Sequence, residues 1–347
     1  LRSLEVFPMD YLPLAFLIAV ASFAVIYALS ILYIRYAYEK NLLAIDYSKK
    51  GLPKIPKMAG ILLIFYLVLI PIFYPLFQEI TGFKSNYLIS LILVGIFGLF
   101  VGYLDDIHFK KWDFFKIGVI ALAALPVIIL GAYIPRPYVP IVGRLRMTIV
   151  YPLLIFAAFA VVPNGMNMID LVNGIMLYSQ VLLMITILIW TYILGNYFIF
   201  ALGLMYLGAL LALFMFNKYP AKYFVSNTGS YGTGAITTAF VIYSRLEFVA
   251  IIALLPMILN SFSLLATLRN ILTREDIQKT VGASNIRENG IIRPNPNPRA
   301  PLNIVRMIVI HEPCDEWEVV KVLYVIFLFS TILANITAYL IYIAKII

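Results

Sequence analysis

Gly102-Tyr-Leu-Asp105-Asp106-Ile-His108-Phe-Lys110-Lys111-Trp112-Asp113-Phe-Phe-Lys116 lies between two uncharged apolar runs, Leu88 to Leu104 and Ile117 to Tyr133. A bilayer span needs about 20 mostly apolar residues, so this stretch reads as the turn between two membrane helices. Adjacent carboxylates at the mouth of a span are costly, and such groups mark a site, a relay or an ion path. Lys110, Lys111 and Lys116 follow closely. Acids beside bases at a membrane surface suit an anionic group held with a divalent cation. The plainer alternative is a solvated loop whose lysines set topology.

The rest of the chain has the same character. It has 347 residues, 63% hydrophobic and 12% charged, with a mean hydropathy of +0.96. This excludes a soluble domain and predicts an all-α, polytopic membrane protein, one domain over residues 1–347. About ten transmembrane helices are expected, near 10–34, 59–80, 87–104, 117–134, 148–163, 174–194, 197–216, 230–244, 247–268 and 320–346. Pro71 and Pro75 predict a kink or early end in the second. Glu5, Asp10 and a span-length first apolar run argue against a cleaved leader. Cys314 is the single cysteine, which leaves no internal disulfide and no multi-cysteine metal cluster. The net charge of +9 would suit nucleic acid, but the bases sit in short inter-span loops, so no nucleic-acid partner is expected.

Following the spans by parity divides the 26 Lys and Arg 19 to 7, the larger group on the side of Asp105. The positive-inside rule makes that face cytoplasmic in a multi-pass cell-membrane protein, with both termini outside. Arg136, Arg144 and Arg146 dissent mildly from the opposite face.

Further polar blocks fall on the Asp105 side. In Asp46 to Gly60, Pro53 and Pro56 keep the backbone extended, and Lys57 stands nearest the membrane. These lysines read as a lip for a phosphate ligand or, equally, as interfacial charges. After the fifth span comes Pro163-Asn164-Gly-Met-Asn167-Met-Ile-Asp170-Leu-Val-Asn173-Gly174. Its polar residues recur at spacings of three and share a helical face. They offer oxygens to a metal and hydrogen bonds to a base; the alternative is a cap plus interhelical hydrogen bonds. Phe224-Val-Ser226-Asn227-Thr228-Gly229-Ser230 opens a helix whose N-terminus suits an anion. The loop 269–319 is the one long polar segment. Thr273 with Asp276 resembles a capping box, the prolines from Arg293 to Pro301 enforce extension and present Arg293 and Arg299, and Ile304 to Ile310 reads as a strand.

Asp105-Asp106, the Asn164–Gly174 block and Phe224–Ser230 together resemble one family, the polyprenyl-phosphate N-acetylhexosamine-1-phosphate transferases. The resemblance implies ten helices and a cytoplasmic active site. It implies UDP-N-acetylhexosamine and a polyprenyl or dolichyl phosphate as substrates, contact with membrane lipid and Mg²⁺ (or Mn²⁺) as cofactor; the oligomeric state is left open, a homodimer being one option. It implies catalytic roles for Asp105, Asp106 and Lys116. Asn167, Asn227 and Asp170 would hold the metal. Asn173, Asn164, Arg299, Arg293 and Lys57 would bind substrate, with the arginines on loop 269–319. The last loop resembles that of the archaeal and eukaryotic GlcNAc-1-phosphate enzymes. One departure stands out: this chain has Ser226-Asn227 where the family has Gly-Asp. An amide gives a cation one neutral oxygen and no charge, so metal binding would weaken. The alternatives are a transporter or flippase of an anionic lipid, which would place polar groups between helices, and a catalytically silent homologue.

Overall fold

A run of mostly apolar helices, α1 to α14, makes up a bundle with three small sheets. A computed structural model describes residues 11–80, 82–107, 113–140, 143–268, 284–298 and 300–343. The helices are α1 (Tyr11–Glu39), α2 (Leu63–Ile72), α3 (Tyr74–Gln78), α4 (Ser85–Ile107), α5 (Asp113–Ala121), α6 (Ala124–Ile129), α7 (Tyr151–Ile169), α8 (Ile175–Ile193), α9 (Tyr197–Asn217), α10 (Ser226–Ser244), α11 (Glu247–Ala253), α12 (Leu255–Leu268), α13 (Ile304–Val309) and α14 (Glu316–Ile343). A hairpin of β1 (Leu43–Ile45) and β2 (Lys54–Pro56) follows α1. β3 (Tyr138–Val139) pairs with β4 (Gly143–Arg144), and β5 (Asn285–Glu288), β6 (Ile291–Pro294) and β7 (Cys314–Asp315) form an antiparallel three-stranded sheet.

Six helices among the described residues are long and apolar enough to cross a membrane, α1, α4, α7, α8, α9 and α14, or seven if α11 and α12, bent by 68°, form one span. The expectation of about ten therefore meets three weaker segments. The second expected span breaks at Phe73, next to Pro71 and Pro75, as ring clashes and a missing N–H require. The fourth is apolar but short, Lys116–Ile129.

The third weak segment, α10, is the centre of the bundle. Nearly every residue in it is buried, and it packs on α4, α7 and α8. A helix sheathed by protein need not be apolar. Its Ser, Thr and Gly allow close approach, and its hydroxyls bond across to neighbours. Gln180 donates to Thr233 Oγ1 at 2.8 Å and accepts from Thr237 at 2.7 Å. Gly60 shows the closeness: a Cβ there would lie 2.2 Å from the Gly229 Cα.

The strand expected over Ile304–Ile310 is instead α13. Asn303 Oδ1 accepts from the Arg306 N–H at 2.8 Å, an N-cap, and Val305 and Val309 bury one turn apart. Capping and burial outweigh the β-branched composition. The proline stretch is extended in β6, and Arg306 donates to the carbonyls of Asn295 and Asn297 beyond it. Thr273 and Asp276 lie outside the described residues.

Candidate functional site

The C-terminal turn of α4 carries Asp105 and Asp106 against the first turn of α10. The two side chains do different things. Asp106 Oδ1 accepts from the Asn227 N–H at 3.0 Å, and Oδ2 accepts from the Thr228 N–H at 2.8 Å and the Thr228 hydroxyl at 2.6 Å. The anion that α10's N-terminus was expected to receive is thus the chain's own carboxylate, which satisfies N–H groups a helix start leaves open. Gly102 permits this approach: a Cβ there would sit 2.4 Å from the Asn227 carbonyl oxygen. Asp105, buried, pairs with the Lys116 ammonium of α5. Both residues also line a cavity of about 110 Å³ with Phe97, Phe100, Val101, Leu104 and Val119.

Asn164 does not reach this group. Its Oδ1 accepts from the Tyr231 hydroxyl at 3.0 Å, and its amide donates to Ala160 O at 2.7 Å. For Asn164 the bond from Tyr231 is the interhelical hydrogen bond that the sequence offered as the alternative to substrate binding. The same contact, with Pro163 against Gly234, runs α7 antiparallel to α10. Asn167 lies about one turn further along α7. Asn167 and Asp170 make no side-chain hydrogen bond or ion pair among the described residues. Burial pushes the Asp170 carboxyl up to about 7; the charged form lacks a counter-ion there.

Lys57 ends the β1–β2 hairpin, which docks on the entry to α10: Phe224 N–H donates to Pro56 O at 2.8 Å, and Met58 N–H to Ser226 Oγ at 2.9 Å. Arg293 lies exposed on β6. Arg299 lies outside the described residues.

Asn173 belongs to a second, neighbouring cluster. Its N–H donates to Glu316 Oε1 at 2.9 Å, and its amide to Asp46 Oδ2 at 3.2 Å. Glu316 also pairs with Lys49, whose ammonium sits 3.6 Å from the Tyr219 ring centroid. Arg287 of β5 donates to Ser48 Oγ and to the Leu171 carbonyl. Burial lowers the Arg287 pKa, against the pull of Glu316 and Asp46. Sequence reasoning missed Asp46, Lys49, Arg287 and Glu316 as a unit. They are separated by up to 270 residues along the chain, and no local spacing signals them; the one cue was an acid opening the last helix.

No group of three or more His, Cys, Asp or Glu among the described residues could by itself hold a metal. Mg²⁺ needs less, commonly one or two carboxylates plus substrate phosphates. The half-buried Asp170, with no side-chain partner among the described residues, fits such an ion together with the half-buried Asn167 amide.

The sequence profile of glycosyl transferase family 4 matches residues 88–245, which hold the Asp105, Asn167 and Asn227 segments and leave out Lys57, Arg293 and Arg299. The chain is 29% identical over 192 residues to phospho-N-acetylmuramoyl-pentapeptide-transferase of Streptococcus pneumoniae, covering 53% of this chain and 58% of that one. It is 29% identical over 198 residues to the enzyme of that name from Dictyoglomus turgidum, covering 55% and 60%. It is 28% identical over 230 residues to a Saccharolobus solfataricus protein provisionally named UDP-N-acetylglucosamine–dolichyl-phosphate N-acetylglucosaminephosphotransferase, covering 63% and 67%.

Proposed function

Because residues 88–245 match the profile of glycosyl transferase family 4, we propose that this chain moves an N-acetylhexosamine-1-phosphate from a UDP-sugar to a polyprenyl or dolichyl phosphate, releasing UMP. The observation that carries this reading is the Asp105–Lys116 ion pair in the lining of an apolar cavity. A prenyl chain suits the phenylalanine-lined space, and its phosphate suits the lysine. The similarity to a protein named for dolichyl phosphate supports the lipid acceptor.

An oxygen of the lipid phosphate attacks the β-phosphorus of the UDP-sugar. The bond from that phosphorus to the bridging oxygen breaks, and UMP leaves with the electron pair. Both reactants are anions, so alignment and charge neutralisation supply most of the rate. Lys116 holds the lipid phosphate, and Asp105 orients Lys116 and accepts a proton from the phosphate if it arrives protonated. Asp106 keeps α10 seated against α4, which places Asn227 beside the reactants. Asp170, Asn167 and Asn227 would hold Mg²⁺, which when bound neutralises phosphate charge. Asn173, held by Glu316 and Asp46, would read the nucleoside, and Lys57 and Arg293 would supply charge to the phosphates, with the site on the cytoplasmic face.

Asp105→Ala in vesicles containing polyprenyl phosphate and UDP-GlcNAc tests the assignment. Release of UMP should fall by about a hundredfold or more. Wild-type release by the variant would remove Asp105 from the mechanism.

A further inference from the structure

The proposed reaction uses nothing at the opposite end of the bundle, where the sequence left Lys84, Arg136, Arg144, Arg146 and Arg245. α4 runs 23 residues from Ser85 to Ile107, so its start lies about 33 Å from its end. At that far end is a cavity of about 260 Å³ whose lining includes Lys84, Tyr87, Tyr138, Asn196, Tyr243 and Arg245.

Arg245 caps the C-terminus of α10 with φ +63°. That left-handed position is usually taken by Gly or Asn, and a longer side chain persists there only when its surroundings hold it. Here they do. Arg245 Nε donates to the Arg136 carbonyl at 3.0 Å, Nη1 donates to the Tyr138 hydroxyl at 2.9 Å, and the guanidinium lies 4.1 Å from the Tyr138 ring centroid. These partners are neutral. Lys84 is exposed, 5.1 Å from the Tyr87 ring centroid, and forms no ion pair among the described residues. Of the described acids at this end, Glu247 accepts from the Tyr151 hydroxyl and is within electrostatic reach of Arg245 without a hydrogen bond to it, and Glu79 faces solvent, which leaves Lys84 with no acid partner among them.

We infer that this cavity binds a phosphate group, with Lys84 and Arg245 as its cations and tyrosine hydroxyls as further donors. The Arg245 guanidinium, whose Nε and Nη2 both reach the Arg136 carbonyl, has further Nη hydrogens that can donate to phosphate oxygens. The volume is below the roughly 300–1,000 Å³ of ordinary ligand pockets, which suits a phosphate headgroup rather than a nucleotide sugar. The cavity lies at headgroup depth in the leaflet away from Asp105, so the phosphate comes from a phospholipid or from the free ion.

The test uses thermal unfolding of the full chain in neutral detergent with phosphatidylglycerol, diacylglycerol or inorganic phosphate, on the wild type, Lys84→Glu and Arg245→Gln. Phosphatidylglycerol should raise Tm, diacylglycerol should not, and Lys84→Glu should weaken the apparent affinity by about tenfold, the worth of one charge-assisted contact. A shift with inorganic phosphate alone, lost in Lys84→Glu, assigns the free ion. No shift with either phosphate, an equal shift with diacylglycerol, or an unchanged affinity in Lys84→Glu overturns the site. Should Arg245→Gln fail to fold, Lys84→Glu, whose side chain ties no two elements together, decides alone. None of these readouts depends on turnover.

Discussion

Glu316, at the start of α14, accepts the backbone N–H of Asn173 at 2.9 Å, and its other oxygen pairs with Lys49. One carboxylate thus joins the loop after α7, the β1–β2 hairpin and the last helix. It is 2% exposed. Breaking one partner of a buried pair is strongly destabilising, because the remaining charge stays desolvated. Glu316→Gln should cost about 3 kcal/mol, read as a lower unfolding midpoint in detergent. The loosened Asn173 should raise KM for the nucleotide sugar more than it lowers kcat. An unchanged midpoint would mean that the cluster does not hold these segments together.

Asp105 and Asp106 should separate on substitution. Asp106→Asn replaces a carboxylate that accepts three hydrogen bonds at a helix start, and caps of this kind are worth about 0.5–2 kcal/mol. Its unfolding temperature should fall. Asp105→Asn should lower turnover far more than stability. Parallel melting curves and UMP assays check this, and identical profiles for the two variants would refute the division of labour.

Glycine substitutions probe the α4–α10 contact. Gly102→Ala forces a Cβ to 2.4 Å from the Asn227 carbonyl oxygen, a backbone atom that cannot swing aside, and overpacking of this kind costs about 1–3 kcal/mol. Gly118 has nothing within 4 Å of its added Cβ and lies within α5. Gly118→Ala should therefore stabilise by up to about 1 kcal/mol through helix propensity. Equal effects from the two would show that the helices do not approach so closely.

Asn227→Asp places a carboxylate on the residue whose N–H already meets Asp106. Without divalent cation the two acids repel, and Tm should fall; with Mg²⁺ it should recover and turnover should rise above wild type. Thermal shifts with and without Mg²⁺, beside UMP release, measure both. A variant that responds to Mg²⁺ no better than the wild type would mean that Asn227 is not where the family acid acts.

Much of the bundle was legible because apolar run length is a local property: Leu88 to Leu104 lies within α4 whatever surrounds it. The failures have a common cause. The strand expected at Ile304–Ile310 ignored the cap that Asn303 provides and the burial of Val305 and Val309. Nor did the polar spacing around Asn164 show Tyr231, 67 residues away, whose hydroxyl bonds its side chain. In both cases a partner, rather than the residue's own chemistry, decided the outcome.

The sequence alone determined that this chain is a helical membrane protein, since hydropathy adds up along the chain. Only the tertiary structure decided which of two adjacent aspartates ties helices together and which meets a lysine beside an apolar cavity. It also decided that a helix too polar for lipid stands at the centre, and that Asn173 is held by Glu316. Hydrogen bonds and ion pairs act within about 3–4 Å, and which groups come that close is set by packing between segments far apart in the chain.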